Sequence, residues 1–575
     1  MRNSQVLAEH LARAGVTTFF GVQGGGSAHL IEAMCQNDKT TFIPSLNEQA
    51  AGLSAHGYFF STGKPAGGIS TCGPGFFNLI TGIAACYYDN IPSVFLVGQV
   101  GSGLNVASKF GTKMYGFQEA PHAEIAAFLA EKSLKVRNDE EFLIALKAIN
   151  EINPAKSTGP LVIELQDDFQ RMDSLYEDLS FEDKPSVTVD DAASQAADQI
   201  IEALKNSAKP LLMIGSGVSR ASDTALDDVD NLPKVMKIPT VFSWGGQRLF
   251  DRFNDYHIGL YGGHSPGIGN SLVQQSDLVI GFGVSLLQHQ AGKEKDKFAP
   301  NAKLIIINNE PSEIKRYDHD FGERLTVLPA DCADVLRCLT TRLAASDWEH
   351  ASWDDLPSTN TAKDWACLAN PEIINELRDH QPVKTLRIFL EECPKNFCTF
   401  SDAGATLSWT YQAATQCDAP QVTTSFNLHT MGYSLPAAVG AAAASSSPGA
   451  FAISGDGGFM MNIQELAVAR NLSAPVKILV LDNRGYGIIR QTQNAFLGGR
   501  HFGSDMGEFP SLPEFNIVRL TEAFGFETLV AAPEEADAAA KWLFEKNSNH
   551  RAVVISIDPE DFVKHTMPMG ASLVY

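Results

Sequence analysis

Residues 452–493 read AISGDGGFMMNIQELAVARNLSAPVKILVLDNRGYGIIRQTQ. An apolar strand, Ala452 to Ser454, runs into the turn Gly455-Asp456-Gly457-Gly458, and a helix follows. A second apolar strand, Lys477 to Leu481, ends at Asp482-Asn483. Open α/β sheets bind ligands at the carboxyl ends of parallel strands. The stretch therefore predicts two neighbouring strands of a parallel sheet with polar residues at their shared edge.

The polar residues at these two strand ends have the chemistry of a metal site. Mg²⁺ prefers oxygen ligands and is often completed by phosphates. Asp456, the side-chain oxygen of Asn483 and a carbonyl in the turn beyond would supply half of its shell, while glycines and a helix N-terminus after Phe459 favour a diphosphate. Each turn alone is a common loop feature, but the pair predicts a metal-bridged diphosphate.

Similar apolar runs alternate with helical patterns along the rest of the chain. They are TTFFGV (17–22), KPAGGIST (64–71), SVFLVGQV (93–100), KPLLMIGSG (209–217), SDLVIGFG (276–283), AKLIIINN (302–309), GAFAIS (449–454) and VKILVLDN (476–483). Such alternation predicts α/β domains with a mostly parallel central sheet flanked by helices. Carboxylate-rich stretches at about 166–191 and 345–370 are predicted linkers. We expect three domains, at 1–170, 190–345 and 375–560.

Composition excludes several classes of protein. The chain has 575 residues, 44 Lys and Arg against 67 Asp and Glu, and a net charge of −23, which disfavours nucleic acids and anionic membranes as partners. Its nine cysteines form no paired CxxC pattern, so neither a zinc ribbon nor a disulfide framework is expected. No signal sequence or membrane-spanning apolar run is visible, which predicts a cytoplasmic protein.

The Asp456 to Asn483 stretch resembles the thiamine-diphosphate-dependent enzymes. Their fingerprint is GDG, a spacer of this length and an Asn-Asn pair, of which this chain retains the second residue and has Asp482 in place of the first. The resemblance implies thiamine diphosphate and Mg²⁺ as cofactors. It also implies that the Gly485 carbonyl is the third protein ligand of the metal.

A second match concerns the acidic residue that activates this cofactor in the family. Glu48 opens an Ala- and Gly-rich helix with few charges around it, which alone is also typical of a helix-start carboxylate. Nearby, TCGPGFFN (71–78) resembles the family segment beside the pyrimidine ring, with Gly73, Gly75 and Asn78 matching. The resemblance implies that Glu48 drives the proton relay of the pyrimidine.

Further matches resemble the acetolactate synthase branch of the family. They imply Gln23, in the glycine loop 21–26, and Gln118, in GFQEAP (116–121), as active-site residues beside Glu48. In HTMGYSLPAAVGA (429–441), Met431 would separate the two cofactor rings, although a core methionine is an equal reading. The remaining implied cofactor contacts are Gly404, Ala405, His429, Gly455, Gly457, Gly458, Tyr486, Gly487 and Ile488.

Some residues depart from the synthases of amino-acid biosynthesis. Ala405-Thr406-Leu407 stands where those have Gln-His-Gln, and Phe76 and Phe77 replace small residues. In the middle domain, Ser285-Leu286-Leu287-Gln288-His289 replaces an arginine-containing stretch of the flavin-binding relatives. FAD is a possible cofactor there, but the lost arginines favour its absence.

The sequence leaves three functions open. The first is a carboligase that decarboxylates a 2-oxo acid such as pyruvate and adds the product to a second carbonyl compound. A simple decarboxylase or aldehyde lyase is disfavoured because no His-His pair is present, and a non-catalytic cofactor-binding regulator is disfavoured by Glu48. The family resemblance implies a homodimer or homotetramer with active sites at subunit interfaces, and it does not identify the acceptor substrate.

Overall fold

The computed structural model describes residues 1–153, 159–181, 191–218, 223–251, 254–263, 265, 268–346, 353, 371–546 and 549–565. Three separate six-stranded sheets of parallel strands, each flanked by helices, make up three domains within these residues. This confirms the predicted fold class, and each of the eight apolar runs contains a strand. In the described ranges, no helix is long and apolar enough to cross a membrane, so a cytoplasmic location stays a prediction.

The first domain holds a sheet with the strand order β2-β1-β3-β4-β6-β5. Its strands are β1 (Thr18–Gly21), β2 (Thr41–Pro44), β3 (Gly67–Ser70), β4 (Val94–Gln99), β5 (Lys132–Val136) and β6 (Leu161–Gln166). Its helices are α1 (Asn3–Arg13), α2 (Ala28–Gln36), α3 (Glu48–Thr62), α4 (Pro74–Tyr88), α5 (Ala107–Phe110), α6 (His122–Ala126), α7 (Asp139–Asn150) and α8 (Asp167–Arg171), with a 3₁₀ turn at Gly25–Ser27. The central strands β4 and β6 are buried along their whole length, which explains why most of their residues are apolar.

The middle domain holds a sheet with the strand order β12-β11-β10-β7-β8-β9. Its strands are β7 (Pro210–Ile214), β8 (Thr240–Phe242), β9 (His257–Leu260), β10 (Leu278–Phe282), β11 (Lys303–Ile307) and β12 (Leu325–Leu328). Its helices are α9 (Asp191–Lys205), α10 (Asp223–Met236), α11 (Ile268–Gln275), α12 (Gln288–Ala291), α13 (Pro311–Phe321) and α14 (Cys332–Ala344), with 3₁₀ turns at Trp244–Leu249, Lys295–Lys297 and Gly322–Arg324.

The third domain holds a sheet with the strand order β14-β13-β15-β16-β18-β17. Its strands are β13 (Cys398–Ser401), β14 (Val422–Thr423), β15 (Ala450–Gly455), β16 (Val476–Asp482), β17 (Glu527–Ala531) and β18 (Arg551–Ser556). The helices from residue 371 onward are α15 (Pro371–Asp379), α16 (Gln381–Glu392), α17 (Ala405–Ala414), α18 (Ser434–Ala442), α19 (Asp456–Met461), α20 (Leu466–Ala469), α21 (Gly487–Leu497), α22 (Ile517–Ala523) and α23 (Ala536–Phe544), with 3₁₀ turns at Ile463–Glu465 and Pro533–Glu535.

The chain divides into two compact units. One comprises Met1–Lys184, Cys393–Leu407 and Thr423–Glu560, and so contains the first and third sheets. The other comprises Pro185–Glu392, Ser408–Val422 and Asp561–Tyr575, and contains the middle sheet together with α15 and α16. The predicted domain boundaries at 170, 190, 345, 375 and 560 stay predictions.

The first and third domains are joined through α3 and α18. A Cβ on Gly57 of α3 would collide with the backbone of Ala437, and one on Gly440 of α18 would collide with the carbonyl of Ser54. Small residues allow two helix backbones to approach this closely. The Ala- and Gly-rich composition of α3, noted in the sequence, is therefore explained by helix packing.

The two predicted linkers differ in outcome. The first, at 166–191, begins as ordered structure, because Gln166 ends β6 and α8 follows it with Phe169 packed in the core; residues 182–190 lie outside the described part. The second, at 345–370, lies outside the described residues except for 345, 346 and 353. Trp353 is buried and donates to the carbonyl of Pro210, so this residue belongs to the middle core.

Candidate functional site

Asp456 lies at the edge of the third sheet where β15 ends. Its carboxylate is 1% exposed and accepts hydrogen bonds from two backbone amides, Gly457 N at 2.6 Å and Gly485 N at 2.9 Å. The second amide follows the neighbouring strand β16. The two strand ends predicted to meet are therefore joined through one buried carboxylate.

The side chain of Asn483 lies beside the backbone carbonyl of Gly485. In the amide orientation that satisfies both of its ends, the side-chain nitrogen of Asn483 donates to the carbonyl oxygen of Gly485 at 2.8 Å, and its oxygen accepts from Nη2 of Arg490 at 3.2 Å. Neighbouring ligands of an octahedral Mg²⁺, with bonds of ~2.0–2.1 Å, are about 2.9 Å apart. A bound Mg²⁺ would therefore require the Asn483 amide to turn its oxygen toward this carbonyl, and the 2.8 Å spacing matches that of two such ligands.

The electrostatics around Asp456 also favour a cation. Burial, together with the nearby Asp482, raises the pKa of the Asp456 carboxyl to about 7. A bound divalent cation would offset both effects. Within the described residues no group of three or more His, Cys, Asp and Glu could hold a metal, so the candidate shell combines one carboxylate with amide and carbonyl oxygens, as Mg²⁺ accepts.

The glycine turn is shaped by close contacts. The helix α19 begins at Asp456 itself, with extended Gly455 before it, so the predicted helix start after Phe459 is wrong. The three residues after Gly455, Asp456 to Gly458, take up the first helical turn, and the Asp456 carboxylate accepts from the amide of Gly457 within it. A Cβ on Gly457 would collide with the ring of Tyr486, and one on Gly458 would lie 2.7 Å from the Asp402 carboxylate.

The remaining third-domain residues lie at the same edge. Gly404 follows β13 with φ +83°, and a Cβ there would lie 3.7 Å from Cγ2 of Ile488. Ala405 begins α17, and Gly487 begins α21 beside Asn483. The turns after β13, β15 and β16 therefore enclose one space.

Asp402 is a residue that the sequence analysis missed. It is fully buried after β13, and burial raises the pKa of its carboxyl. Its oxygens accept from Gly432 N at 2.9 Å and from the backbone and side chain of Ser434 at 3.2 Å. Asp402 thus fastens the segment that contains Met431 to the sheet edge, and its place two residues before the predicted contact Gly404 was the available signal.

Met431 is held between anchored neighbours. His429 has φ +51° and its amide donates to the carbonyl of Ser425 at 2.9 Å. The carbonyl of Gly432 accepts from the side chain of Asn462 at 2.8 Å. Met431 itself is 37% exposed, which disfavours the reading of a core methionine.

Arg490 is a second residue that the sequence did not single out. It lies on α21, is 2% exposed, and its guanidinium donates to the backbone carbonyl of Asn483 at 2.9 Å. The same group donates to Asp505 at 3.0 Å, which in turn contacts His501 at 3.1 Å. His501 therefore contacts the carboxylate that binds Arg490, and Arg490 in turn binds the backbone of Asn483.

Glu48 begins α3 in the first domain and is 8% exposed. The side-chain nitrogen of Asn78, on α4, donates to its Oε2 at 3.1 Å. A Cβ on Gly75 would lie 3.2 Å from its Oε1, so glycine keeps that side of the carboxyl clear. Asn78 and Gly75, predicted from one motif, thus contact the predicted proton-relay residue.

The other first-domain residues lie in the segments that follow β1, β3 and β4. The amide of Gly26 donates to Oγ1 of Thr71 at 3.1 Å, which brings the glycine loop containing exposed Gln23 beside the 71–78 segment. Gln118 has φ +63°, and a Cβ on Gly73 would lie 2.9 Å from its Cβ and its carbonyl oxygen. The predicted first-domain residues therefore form a second cluster of contacts.

Glu465 connects the third domain to the segment before Glu48. It is fully buried, and its Oε1 accepts from the amide of Leu46 at 3.0 Å. Burial raises the pKa of its carboxyl to about 7, and its Oε2 has no hydrogen-bond partner among the described residues. Sequence reasoning could not find this contact because it joins residues 419 positions apart.

Comparison with known proteins identifies the family. The chain matches the N-terminal TPP binding domain, the central domain and the C-terminal TPP binding domain of thiamine pyrophosphate enzymes over residues 1–127, 197–339 and 402–557. It is 28% identical to the Escherichia coli (strain K12) acetolactate synthase isozyme 1 large subunit, over 99% of this chain and 96% of that protein.

Two further relatives have similar coverage. The isozyme 2 large subunit of the same organism is 28% identical over 100% of this chain and 98% of that protein. A probable acetolactate synthase large subunit from Methanocaldococcus jannaschii is 28% identical over 99% of this chain and 94% of that protein. With all three domains matched and full-length similarity to acetolactate synthase large subunits, the chain belongs to the thiamine-diphosphate-dependent enzymes.

Proposed function

We propose that the protein is an acetolactate-synthase-like carboligase, dependent on thiamine diphosphate and Mg²⁺. It would decarboxylate a 2-oxo acid, pyruvate in the first instance, and transfer the resulting acyl group to a second carbonyl compound. The observation that supports this most is that Asp456, Asn483 and the Gly485 carbonyl lie together at the ends of β15 and β16, with buried Glu48 framed by Asn78 in the first domain.

In this proposal the third domain binds the charged end of the cofactor. Asp456, Asn483 and the Gly485 carbonyl would hold Mg²⁺, and the glycine turns after β13 and β15 would admit the diphosphate. Arg490 fixes the backbone of Asn483, and Asp402 fixes the Met431 segment. When bound, thiamine diphosphate would supply the electron sink for decarboxylation.

Glu48 would handle the proton. Because Asn78 occupies Oε2 and Gly75 leaves space beside Oε1, Oε1 is available to hydrogen-bond a ring nitrogen of the pyrimidine. Gln118 and Gln23 would contact substrate from the adjoining loops. FAD is assigned no step, because the acyl transfer is redox-neutral.

We propose further that two copies of the chain complete each site. Several large apolar side chains of the first and third domains are exposed: Phe77, Phe110, Phe117, Phe128, Phe502 and Phe509. Phe117, 80% exposed, directly precedes Gln118, and Phe77 directly precedes Asn78. A second copy of the chain would cover such apolar groups, as contiguous exposed apolar patches mark interfaces. The Glu48 of one subunit would then serve the Asp456 of the other, in a homodimer or homotetramer.

Product analysis tests the activity. Purified protein is incubated with pyruvate, thiamine diphosphate and Mg²⁺, without any other acceptor. Acetolactate or acetoin together with CO₂ is the expected result. Acetaldehyde and CO₂ alone would favour a decarboxylase over the carboligase, and the absence of CO₂ would exclude pyruvate as the donor.

Mixing two inactive variants tests the shared site. Glu48→Gln and Asp456→Asn are each expected to be inactive. After subunit exchange, half of the dimers would be mixed and each would contain one intact site, so about a quarter of wild-type activity should return. No recovery between variants that demonstrably exchange subunits would contradict sites built from two chains.

A further inference from the structure

The first domain contains a buried histidine, not yet assigned, that contacts the turn beside Glu48. His122 begins α6 and is fully buried. Its Nε2 lies 2.9 Å from the amide nitrogen of Gly73, and its Nδ1 lies 3.0 Å from Oε2 of Glu164. Glu164, on β6, is 1% exposed.

These contacts define the tautomer of the ring. A backbone amide can only donate, so Nε2 must accept from Gly73 and Nδ1 then holds the ring proton. That proton is donated to the Glu164 carboxylate, whose Oε2 also accepts from the amide of Ala123 at 3.3 Å. The side-chain nitrogen of Gln99 is 3.1 Å from Nδ1 of His122, but it donates its hydrogen bond to the carbonyl of Ala120 at 2.8 Å. Glu164 therefore orients His122, and His122 holds Gly73.

Gly73 is a sensitive point in this part of the site. It has φ +61° and precedes α4, whose first turn contains Gly75 beside Oε1 of Glu48. Gln118 packs directly against it, 2.9 Å from a Cβ position on Gly73. One hydrogen bond, donated by Gly73 to His122, thus holds a turn that contacts both residues proposed to act on cofactor and substrate.

We infer that His122, oriented by Glu164, is a positioning residue that fixes the Gly73–Gly75 turn against Glu48 and Gln118. The inference rests on the proposed function only for its effect on turnover. His122 touches neither Glu48 nor Gln118 through a hydrogen bond, so it acts through the turn. Phe76, whose ring packs edge-on to His122 with centroids 5.0 Å apart, excludes water from the pair.

Replacing His122 tests the inference with two independent readouts. His122→Ala leaves the Gly73 amide without its acceptor, so its hydrogen exchange should accelerate about tenfold or more. In the same variant, kcat should fall about tenfold or more while KM for pyruvate and the Kd of thiamine diphosphate with Mg²⁺ change less than about threefold. The exchange measurement and the Kd need no turnover, so they remain decisive if pyruvate is not the substrate.

The conservative variant separates positioning from general stability. In His122→Gln, the side-chain oxygen can accept from Gly73 and the nitrogen can donate to Glu164, so both readouts should return to within about threefold of wild type. His10→Ala is the matched control, because His10 is a buried histidine of the same domain, on α1 and packed against Phe181. This control should lower Tm without altering Gly73 exchange or kcat.

Glu164→Gln gives a second test if His122→Ala does not fold. Gln has the shape of Glu but no charge, so its hold on the ring proton weakens and Gly73 exchange should rise about threefold. Unchanged Gly73 exchange in His122→Ala, or in Glu164→Gln if the former is unfolded, would overturn the inference. Equal kcat losses in His122→Gln and His122→Ala would overturn it as well.

Discussion

The middle and third domains place glycine-rich turns at the same topological position with opposite results. In the middle domain, Gly215 and Gly217 follow β7, and Gly283 follows its neighbour β10. A Cβ on Gly215 would collide with the carbonyl of Gly283, and one on Gly217 would lie 2.7 Å from its Cα. These glycines let two turns pack on each other, and this packing alone requires glycine at Gly215 and Gly217.

The corresponding turns of the third domain enclose polar atoms instead. Gly457 and Gly485 follow the neighbours β15 and β16, and both donate their amides to the buried carboxylate of Asp456. The side-chain amide of Asn483 lies beside the Gly485 carbonyl. Glycine turns at strand ends therefore arise both from close packing and from ligand binding, and in the third domain the buried polar groups around the turn favour a metal and diphosphate site.

The largest expected effect is at Asp456. Asp456→Asn removes the one carboxylate of the proposed metal shell, so Mg²⁺-dependent binding of thiamine diphosphate should weaken at least about a hundredfold. Isothermal titration calorimetry with and without Mg²⁺ measures this. The protein without cofactor should unfold at a similar temperature, because the Asn side chain can still accept one of the two backbone hydrogen bonds. If Asp456→Asn bound thiamine diphosphate with Mg²⁺ within threefold of the wild-type affinity, the third-domain turn would not be a metal site and would not differ from the middle-domain turn.

The reverse result is expected in the middle domain. Gly215→Ala places a methyl group against the Gly283 backbone, which should lower the free energy of unfolding by about 3 kcal/mol. Cofactor affinity of the folded protein should not change. Gly103→Ala, where a Cβ meets no atom within 4 Å, is the stability control. A loss of cofactor affinity in Gly215→Ala without a loss of stability would mean that this turn also binds a ligand.

A smaller effect is expected at Glu465, which has no glycine turn but is buried with its Oε2 unpartnered among the described residues. Burial raises the pKa of the folded-state carboxyl from 4.5 to about 7. The contribution of this group to the free energy of unfolding is therefore fully present below pH 4.5 and is lost as pH rises through 7. Wild type without cofactor should therefore lose on the order of 2 kcal/mol more unfolding free energy between pH 5 and 8 than Glu465→Gln.

Urea denaturation of both proteins at the two pH values measures this difference. Both proteins contain Asp456, whose carboxyl has a similarly raised pKa, so its contribution to the pH dependence cancels when wild type is compared with Glu465→Gln. Parallel pH profiles for wild type and Glu465→Gln would show that Glu465 is ionised and stabilised in the folded protein across this range.

Much of the fold could be predicted because most residues of the buried strands are apolar. Central strands such as β10 and β16 consist largely of Val, Ile and Leu. The edge strand β17 has no such apolar pattern, because Glu527 and Val530 are exposed and the strand is half-polar. The two-residue strand β14 has no pattern to detect. Edge strands of this kind can be identified only from their pairing with the neighbouring strand.

The candidate site divides in the same way. Asp456, Asn483 and Gly485 lie in one stretch with fixed spacing, so their meeting followed from two adjacent strands. Contacts between distant segments had no such signal: Glu465 with Leu46, and His122 with Glu164. A buried carboxylate such as Asp402 reads in sequence like any polar residue at a strand end, because burial depends on what packs over it.

The smallest expected effect concerns Asp482, where this chain departs from the Asn-Asn pair of the family. Its Oδ1 accepts from the amide of Arg484 at 3.1 Å, which an Asn oxygen can also do, and it is not one of the proposed ligands. Asp482→Asn removes one negative charge near the cation but also relieves the repulsion on Asp456. We therefore expect the Mg²⁺ concentration for half-saturation to change less than about threefold, below 1 kcal/mol. A change as large as that in Asp456→Asn would make Asp482 a ligand, and the third-domain site would then contain two carboxylates.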